Sequence, residues 1–262
     1  MITLSTISQV EMPVDVYKDA NDRFRTWYFP SHDFTLRTLW TKFLVVGTQR
    51  VINGSASSVF DIHVDKIDMQ WAEKLHEIDY AIISDGHWFF RKMYLYEGDK
   101  LIGCVFCTDT NVTNVGLSFA IRRAFQTALK FVNGCNECRD LITLIRTFSP
   151  AHFEHGTWND GGRCNRTMPL SEGKVNLGGT EWEVRNVQVE EVERAMMNGW
   201  KRYRVLDVTK AMLMRADGHP GSHWNNNGMD GYNDCVHWCL PGPIDAWNDL
   251  LLGVLKKEPS LH

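Results

Sequence analysis

Three short apolar runs, at residues 79–84, 141–148 and 204–208, are separated by stretches with helical spacing. This alternation restricts the fold more than any other feature. Parallel strands need a crossover between them, usually a helix, so strands that alternate with helices imply a largely parallel sheet. Such a sheet is covered by helices on both sides. The expected fold is therefore α/β, with a mostly parallel sheet between helices. The clearest helix spans residues 118–132, where Phe119, Ala124, Phe125, Ala128, Leu129 and Val132 form a stripe opposite Arg122, Arg123, Gln126 and Lys130. A second is expected over 187–197, with Val189, Val192 and Met196 inward and Glu190, Glu191 and Arg194 outward. Residues 67–76 show helical spacing at Ile67, Trp71 and Leu75, and 210–215 form a short helical segment. Residues 34–46 are expected as one long extended segment, and the polar, Gly/Ser-rich stretch 47–58 as a surface loop.

A chain of 262 residues fits one domain with a sizeable core. Its formal net charge of −4 supplies no electrostatic footprint for nucleic acid, so no nucleic-acid partner is expected. The seven cysteines include Cys104-x-x-Cys107 and Cys135-x-x-Cys138, a spacing that two thiolate pairs use to hold zinc. Against that stand three N-glycosylation sequons, at Asn53, Asn111 and Asn165. Sequons and cysteines together suit an oxidising secretory lumen, where disulfides are the default and no metal site is expected.

The chemistry concentrates in the stretch from Asn233 to Asn248. Asp234 precedes His237 by three residues, Cys235 and Cys239 bracket the imidazole, and Pro241-Gly242-Pro243 marks a turn. Asp245 is placed to cap the apolar run that follows. An Asp-x-x-His pair on such a loop can act as base and orienting acid: His takes a hydroxyl proton while Asp fixes its tautomer. Alone, the spacing is a common one. A second candidate region follows the apolar strand 79–84, which opens into Asp85-Gly86-His87-Trp88, the kind of strand end where open α/β sheets build sites. His152 lies on a loop after the strand at 141–148, and Gly218-His219-Pro220 either shapes a cleft or makes a plain turn.

The wording from Asp234 to Asn248 closely resembles the C-terminal signature of the plant trichome birefringence-like family, polysaccharide O-acetyltransferases with a GDSL-esterase-like fold. Blocks around Ser84-Asp85-Gly86-His87-Trp88, Arg146 to Glu154, Trp158 to Cys164, Leu206-Asp207 and Asp217 to Pro220 resemble the family in the same order, so the likeness covers residues 8–257. The resemblance implies a three-layer sandwich of the SGNH type and makes Asp234 and His237 the catalytic helpers. It places Gly86, His87, Trp88 and His152 beside the cleft and implies a Cys164–Cys235 bridge, leaving Cys239 without a partner. It also implies an acetyl donor, acetyl-CoA or another acetyl carrier, as co-substrate with no bound cofactor. The acceptor would be a polysaccharide, with xyloglucan or mannan ahead of xylan. The setting would be the Golgi lumen, with a membrane anchor N-terminal to these residues.

One departure is decisive for activity. The family carries its nucleophile on a Gly-Asp-Ser block, and residues 1–262 contain none. Ile7 to Pro13 resembles the segment that follows the block, so a single, N-terminally incomplete domain lacking its first strand is expected. Ser84 and Ser149 each follow an apolar strand and are stand-in nucleophiles, though neither sits on the required turn. Three readings stand: an acetyltransferase lacking its nucleophile block, a polysaccharide-binding pseudoenzyme, and a zinc-stabilised interaction module.

Overall fold

The computed structural model describes residues 11–138, 140–158, 160–199, 201–224 and 232–256. The segment Ile7 to Val10, Asn159 of the glycine-rich loop and the end of the loop preceding Tyr232 lie outside them. The chain divides into two compact units. One holds Ser8–Arg146 with Glu183–Val205, the other Thr147–Trp182 with Leu206–His262.

The architecture is mixed α/β with several sheets. In the first unit β1 (Val14–Lys18), β2 (Phe24–Phe29) and β3 (Phe34–Leu39) form an antiparallel sheet. The extended segment expected over 34–46 is two strands, because Leu44 takes φ of 60° and turns the chain into β4 (Val45–Ile52). The turn is secured by Trp71, whose Nε1–H donates to the Leu44 carbonyl at 2.9 Å.

The expected loop at 47–58 is instead a hairpin between β4 and β5 (Ser55–Ile67). Its two-residue turn is Asn53-Gly54, with φ of 51° and 79°. Positive φ at both centres gives a turn whose twist matches the strands, and Asn-Gly is its strongest sequence signal. The small polar residues flanking it conceal the period of two. Then β5 pairs in parallel with β7 (Met93–Glu97), and β7 pairs antiparallel with β8 (Lys100–Val105). Helix α2 (Leu117–Gly134) covers this mixed sheet, burying Ala120, Ile121, Ala124, Phe125, Ala128 and Val132 completely. Thr127 Oγ1 donates to the Val64 carbonyl at 2.5 Å and ties the helix to β5. Ahead of it, the helical spacing at 67–76 yields only the four-residue α1 (Met69–Ala72), capped by Asp68, and a 3-10 turn at Leu75–Glu77.

The three apolar runs form a sheet of their own: β6 (Tyr80–Ile83), β9 (Ile142–Arg146) and β10 (Arg202–Leu206), in the order β10-β9-β6. Strands β6 and β9 are parallel, with Ile82 opposite Leu144. The expected parallel crossover is thus present, but two further sheets, largely antiparallel, accompany it. Tight hairpin turns bring sequential strands back antiparallel.

Helix α3 (Thr180–Met197) starts earlier than expected, with Val192 inward and Glu190 and Arg194 outward as expected but Glu191 and Met196 reversed. Val184, Val187, Gln188, Glu191, Val192 and Ala195 point inward, while Met196 is 48 % exposed. Glu191, expected in solvent, is 1 % exposed and pairs with Arg122 at 2.7 Å and Arg194 at 3.2 Å. A carboxylate buried between two guanidinium groups keeps its charge compensated.

The second unit is mostly loop around α4 (Thr209–Leu213) and α5 (Pro243–Leu255). Its apolar core is Leu206, Val208, Met212, Trp238 and Trp247. Pro243 begins α5, and the Asp245 carboxylate accepts the Gly242 N–H at 2.7 Å, the capping expected of Asp245. Among the described residues no helix is long and apolar enough to cross a membrane.

Candidate active site

The second unit folds its loops around the Asp234-to-His237 turn, and each strut can be traced. The Cys164–Cys235 disulfide closes 71 residues with Cα atoms 5.7 Å apart, the pairing implied by the resemblance. Beside it, Gly221 and Asp234 exchange backbone hydrogen bonds at 2.9 and 3.0 Å. The His152 N–H donates to the Cys235 carbonyl at 3.0 Å, and the Cys239 N–H to the Gly218 carbonyl at 2.9 Å. Below the turn, the Thr147 hydroxyl donates to Asp207 at 2.9 Å and accepts the Val208 N–H at 2.9 Å.

On this scaffold the Asp234 side chain is 4 % exposed and the His237 ring 77 % exposed. Asp234 Oδ1 accepts the N–H groups of Val236 and His237 at 3.1 and 2.9 Å. Its Oδ2 meets His237 Nδ1 at 2.8 Å. A carboxylate only accepts, so Nδ1 carries the proton and Nε2 keeps its lone pair. Among the described residues Nε2 has no hydrogen-bond partner. Burial pushes the Asp234 carboxyl up, but the His237 ring and the two backbone donors outweigh it and hold the carboxyl below its usual value. The same hydrogen bond from Asp234 raises His237 above the ordinary imidazole value, against a smaller effect of burial. An oriented imidazole backed by an ionised carboxylate, with its far nitrogen open, can take a proton from a hydroxyl and return it.

His152, expected beside this pair, belongs to the same unit and meets the His219 ring, Nδ1 to Nε2, at 2.7 Å. His219 Nδ1 in turn reaches the backbone carbonyl of His237 at 2.6 Å. The sequence reading left His219 undecided between cleft and turn. Its only signal was the tripeptide Asp217-Gly218-His219.

Gly86, His87 and Trp88 fall in the other unit. Gly86 leads into a 3-10 turn at His87–Phe89, and Trp88 stands edge-on to Trp40 with ring centroids 5.9 Å apart. Lys42 and Arg91 lie over its ring, at 4.7 and 4.6 Å from the centroid. Of the stand-in nucleophiles, Ser149 is 3 % exposed, and the Ser84 hydroxyl accepts from Arg146 Nε at 2.9 Å. Neither environment activates a serine. Cys104–Cys107 and Cys135–Cys138 are each closed as disulfides, and Cys239 is free. Asn53, Asn111 and Asn165 are all exposed.

The model of the PC-Esterase family, described as a GDSL/SGNH-like acyl-esterase family found in Pmr5 and Cas1p, matches residues 4–254. Xyloglucan O-acetyltransferase 4 of Populus trichocarpa is 59 % identical over 256 residues, which cover 97 % of this chain and 61 % of the relative. Xyloglucan O-acetyltransferase 2 of Arabidopsis thaliana is 47 % identical over 258 residues, 97 % of this chain and 62 % of the relative. Protein trichome birefringence-like 20 of Arabidopsis thaliana is 41 % identical over 260 residues, 96 % of this chain and 54 % of the relative. The chain therefore spans roughly three fifths of the length of the curated relatives it matches.

Proposed function

The chain belongs to the PC-Esterase family, and from that premise we propose that it carries the Asp-His half of a polysaccharide O-acetyltransferase site. The observation that carries this reading is the buried Asp234 holding Nδ1 of an exposed His237. The acceptor is a hemicellulose, xyloglucan first in view of the relatives' names, then mannan. The donor is acetyl-CoA or another acetyl carrier. The working place is the Golgi lumen, a setting that the exposed sequon asparagines and the disulfides suit.

The nucleophile is a serine on a Gly-Asp-Ser turn, which residues 1–262 do not contain. That serine gives its proton to His237 Nε2 as its oxygen attacks the acetyl carbonyl carbon. The tetrahedral intermediate collapses, the bond to the donor breaks, and His237 returns the proton to the departing group. A sugar hydroxyl then gives its proton to His237 and attacks the acetyl-serine; the ester to serine breaks, and the serine oxygen regains the proton. Throughout, Asp234 stays ionised and stabilises the imidazolium. In this reading β6 and β9 belong to a mostly parallel, three-layer sheet whose first strand delivers the serine. One alternative is a polysaccharide-binding pseudoenzyme.

The test is to express residues 1–262 in a secretory host, beside a version extended upstream with a Gly-Asp-Ser segment, and to assay acetyl transfer to xyloglucan, mannan and xylan oligosaccharides. The extended version is expected to be active and the shorter one not. His237→Ala should lower the activity about 10²–10⁴-fold. Because the base must be unprotonated, activity should fall on acidification, with a midpoint above the ordinary imidazole value of 6.5. An inactive extended version that still binds the oligosaccharides points to the pseudoenzyme. Equal activity in both places the nucleophile within residues 1–262, with Ser84 the first to substitute.

A further inference from the structure

The contacts behind the Asp234-to-His237 turn form a line of four polar groups. The Leu213 carbonyl lies 3.3 Å from His152 Nε2, and His152 Nδ1 lies 2.7 Å from His219 Nε2. His219 Nδ1 lies 2.6 Å from the His237 carbonyl. Both ends of the line are oxygens that can only accept. Three full hydrogen bonds would therefore need three ring protons, which is one more than two neutral imidazoles carry.

The distances decide where the two protons sit. Lone pairs cannot face each other at 2.6 or 2.7 Å, so those contacts hold a proton each, and the slack 3.3 Å contact goes without. Hence His219 donates Nδ1–H to the His237 carbonyl and accepts Nδ1–H from His152. We propose that His219 is a positioning residue for the base, its tautomer set by His152, and that the pair fixes the peptide plane of His237. This rests on reading His237 as the base.

The purpose of the brace is visible in what else holds His237. Its own N–H goes to Asp234 Oδ1 at 2.9 Å and its Nδ1 to Asp234 Oδ2 at 2.8 Å, two contacts that require a single backbone orientation. The carbonyl is the other backbone polar group of the residue, and His219 holds it, leaving Nε2 open. His219 itself is 8 % exposed, with its ring 4.1 Å from that of Trp238, so it has little room to turn.

The charge state agrees. Burial, together with His219, pushes His152 down to about 4; Arg166 disfavours its charge, while Leu213 and Asp217 favour it. Burial lowers His219 as well, with His237 also disfavouring its charge, opposed by the His237 carbonyl and by Asp234 and Asp217. Near neutral pH both rings are thus neutral, as the proton count requires. Only near pH 4 does His152 Nε2 gain the third proton and close the contact to Leu213.

The test needs no acetyl transfer, so it fails or succeeds apart from the proposed activity. Nitrogen-15 imidazole spectra of the 262-residue chain should show His152 and His219 as Nδ1–H tautomers at pH 7, and His237 as the same tautomer once pH exceeds its raised titration midpoint. Finding His219 as the Nε2–H tautomer overturns the proposal without any substitution. His219→Asn keeps an N–H near the Nδ1 position and should hold the His237 protonation constant within about threefold. His219→Gln carries its N–H farther out and should lower that constant about tenfold, one pKa unit, as the Asp234 contact slackens. A folded His219→Gln chain, checked by thermal unfolding, with unchanged His237 titration would reduce His219 to a packing role.

Discussion

The tripeptide Asp-Gly-His occurs twice in this chain, as Asp85-Gly86-His87 and as Asp217-Gly218-His219, and the two copies have opposite fates. The first follows β6 and leads into an aromatic cluster in which Phe89 is fully buried and 5.2 Å from Phe43. The second leads into the candidate active site. Among the described residues the Asp85 carboxyl accepts only its neighbour Gly86's N–H, at 2.7 Å, and has no cationic partner. Burial therefore raises its carboxyl well above the ordinary value of 3.8, against the smaller opposing effect of the Gly86 N–H. Asp217 is bonded by Arg215 at 2.9 and 3.2 Å, which outweighs burial and holds the carboxyl below the ordinary value.

The glycines differ too. Gly86 is needed for its backbone, at φ of 151°. Gly218 is needed for space: a Cβ there would lie 2.3 Å from Pro243 Cγ and 3.2 Å from Trp238 Cε3. Identical local sequence thus fixes neither charge nor conformation; the neighbours that the fold supplies do.

The contrast can be broken most forcefully at the disulfide. Replacing Cys164 and Cys235 together by serine opens the 71-residue loop that contains the second tripeptide and excludes the first. Chemical denaturation should report a loss of about 4 kcal/mol, from loop entropy alone. Retained stability would mean that the loop contacts suffice without the bridge.

Next in size are the glycines. Gly218→Ala forces a methyl against a proline ring and an indole, and should cost about 2–3 kcal/mol. Gly86→Ala puts an L side chain at φ of 151°, and that backbone strain should cost about 1–2 kcal/mol. The reverse order in urea titrations would show that space is not what Gly218 supplies.

The carboxyls sharpen the comparison through pH. With Asp85 raised, the unfolded chain releases its proton near 3.8 while the folded chain keeps it, so stability is full below that and declines as pH rises. Asp85→Asn should remove that decline and stabilise the chain by about 1 kcal/mol at pH 7. With Asp217 lowered, its contribution is present above 3.8 and lost as pH falls. Asp217→Asn should cost about 0.5 kcal/mol at pH 7, for a partly exposed pair, and nothing in acid. Unfolding temperatures of both variants between pH 3 and pH 8 check the two signs together.

What the sequence determined by itself is what local chemistry specifies. Helix α2 follows from a stripe of apolar residues every three to four positions, and it forms with its ends within two residues of expectation. Strands β6, β9 and β10 centre on short apolar stretches and form where they were expected, with their ends shifted by a few residues. The Asp234 and His237 contact is also local, since three residues of spacing bring carboxylate and imidazole together on one turn.

What the sequence did not show depends on partners distant along the chain. Glu191 looked like a surface residue until Arg122, from a helix about 70 positions earlier, neutralised it in the interior. The hairpin at Asn53-Gly54 was legible in principle, yet its small polar flanks hid the alternation that burial imposes. The parallel register of β5 on β7 has no local signature, because it pairs Phe60 with Met93 across a long stretch of chain. His219 reaches the base across 18 residues, and His152 reaches His219 across 67. Periodicity fixes which face of an element is apolar, at a range of a few residues. Which charges may be buried, and which imidazoles meet, is decided only when the tertiary fold supplies the groups that satisfy them.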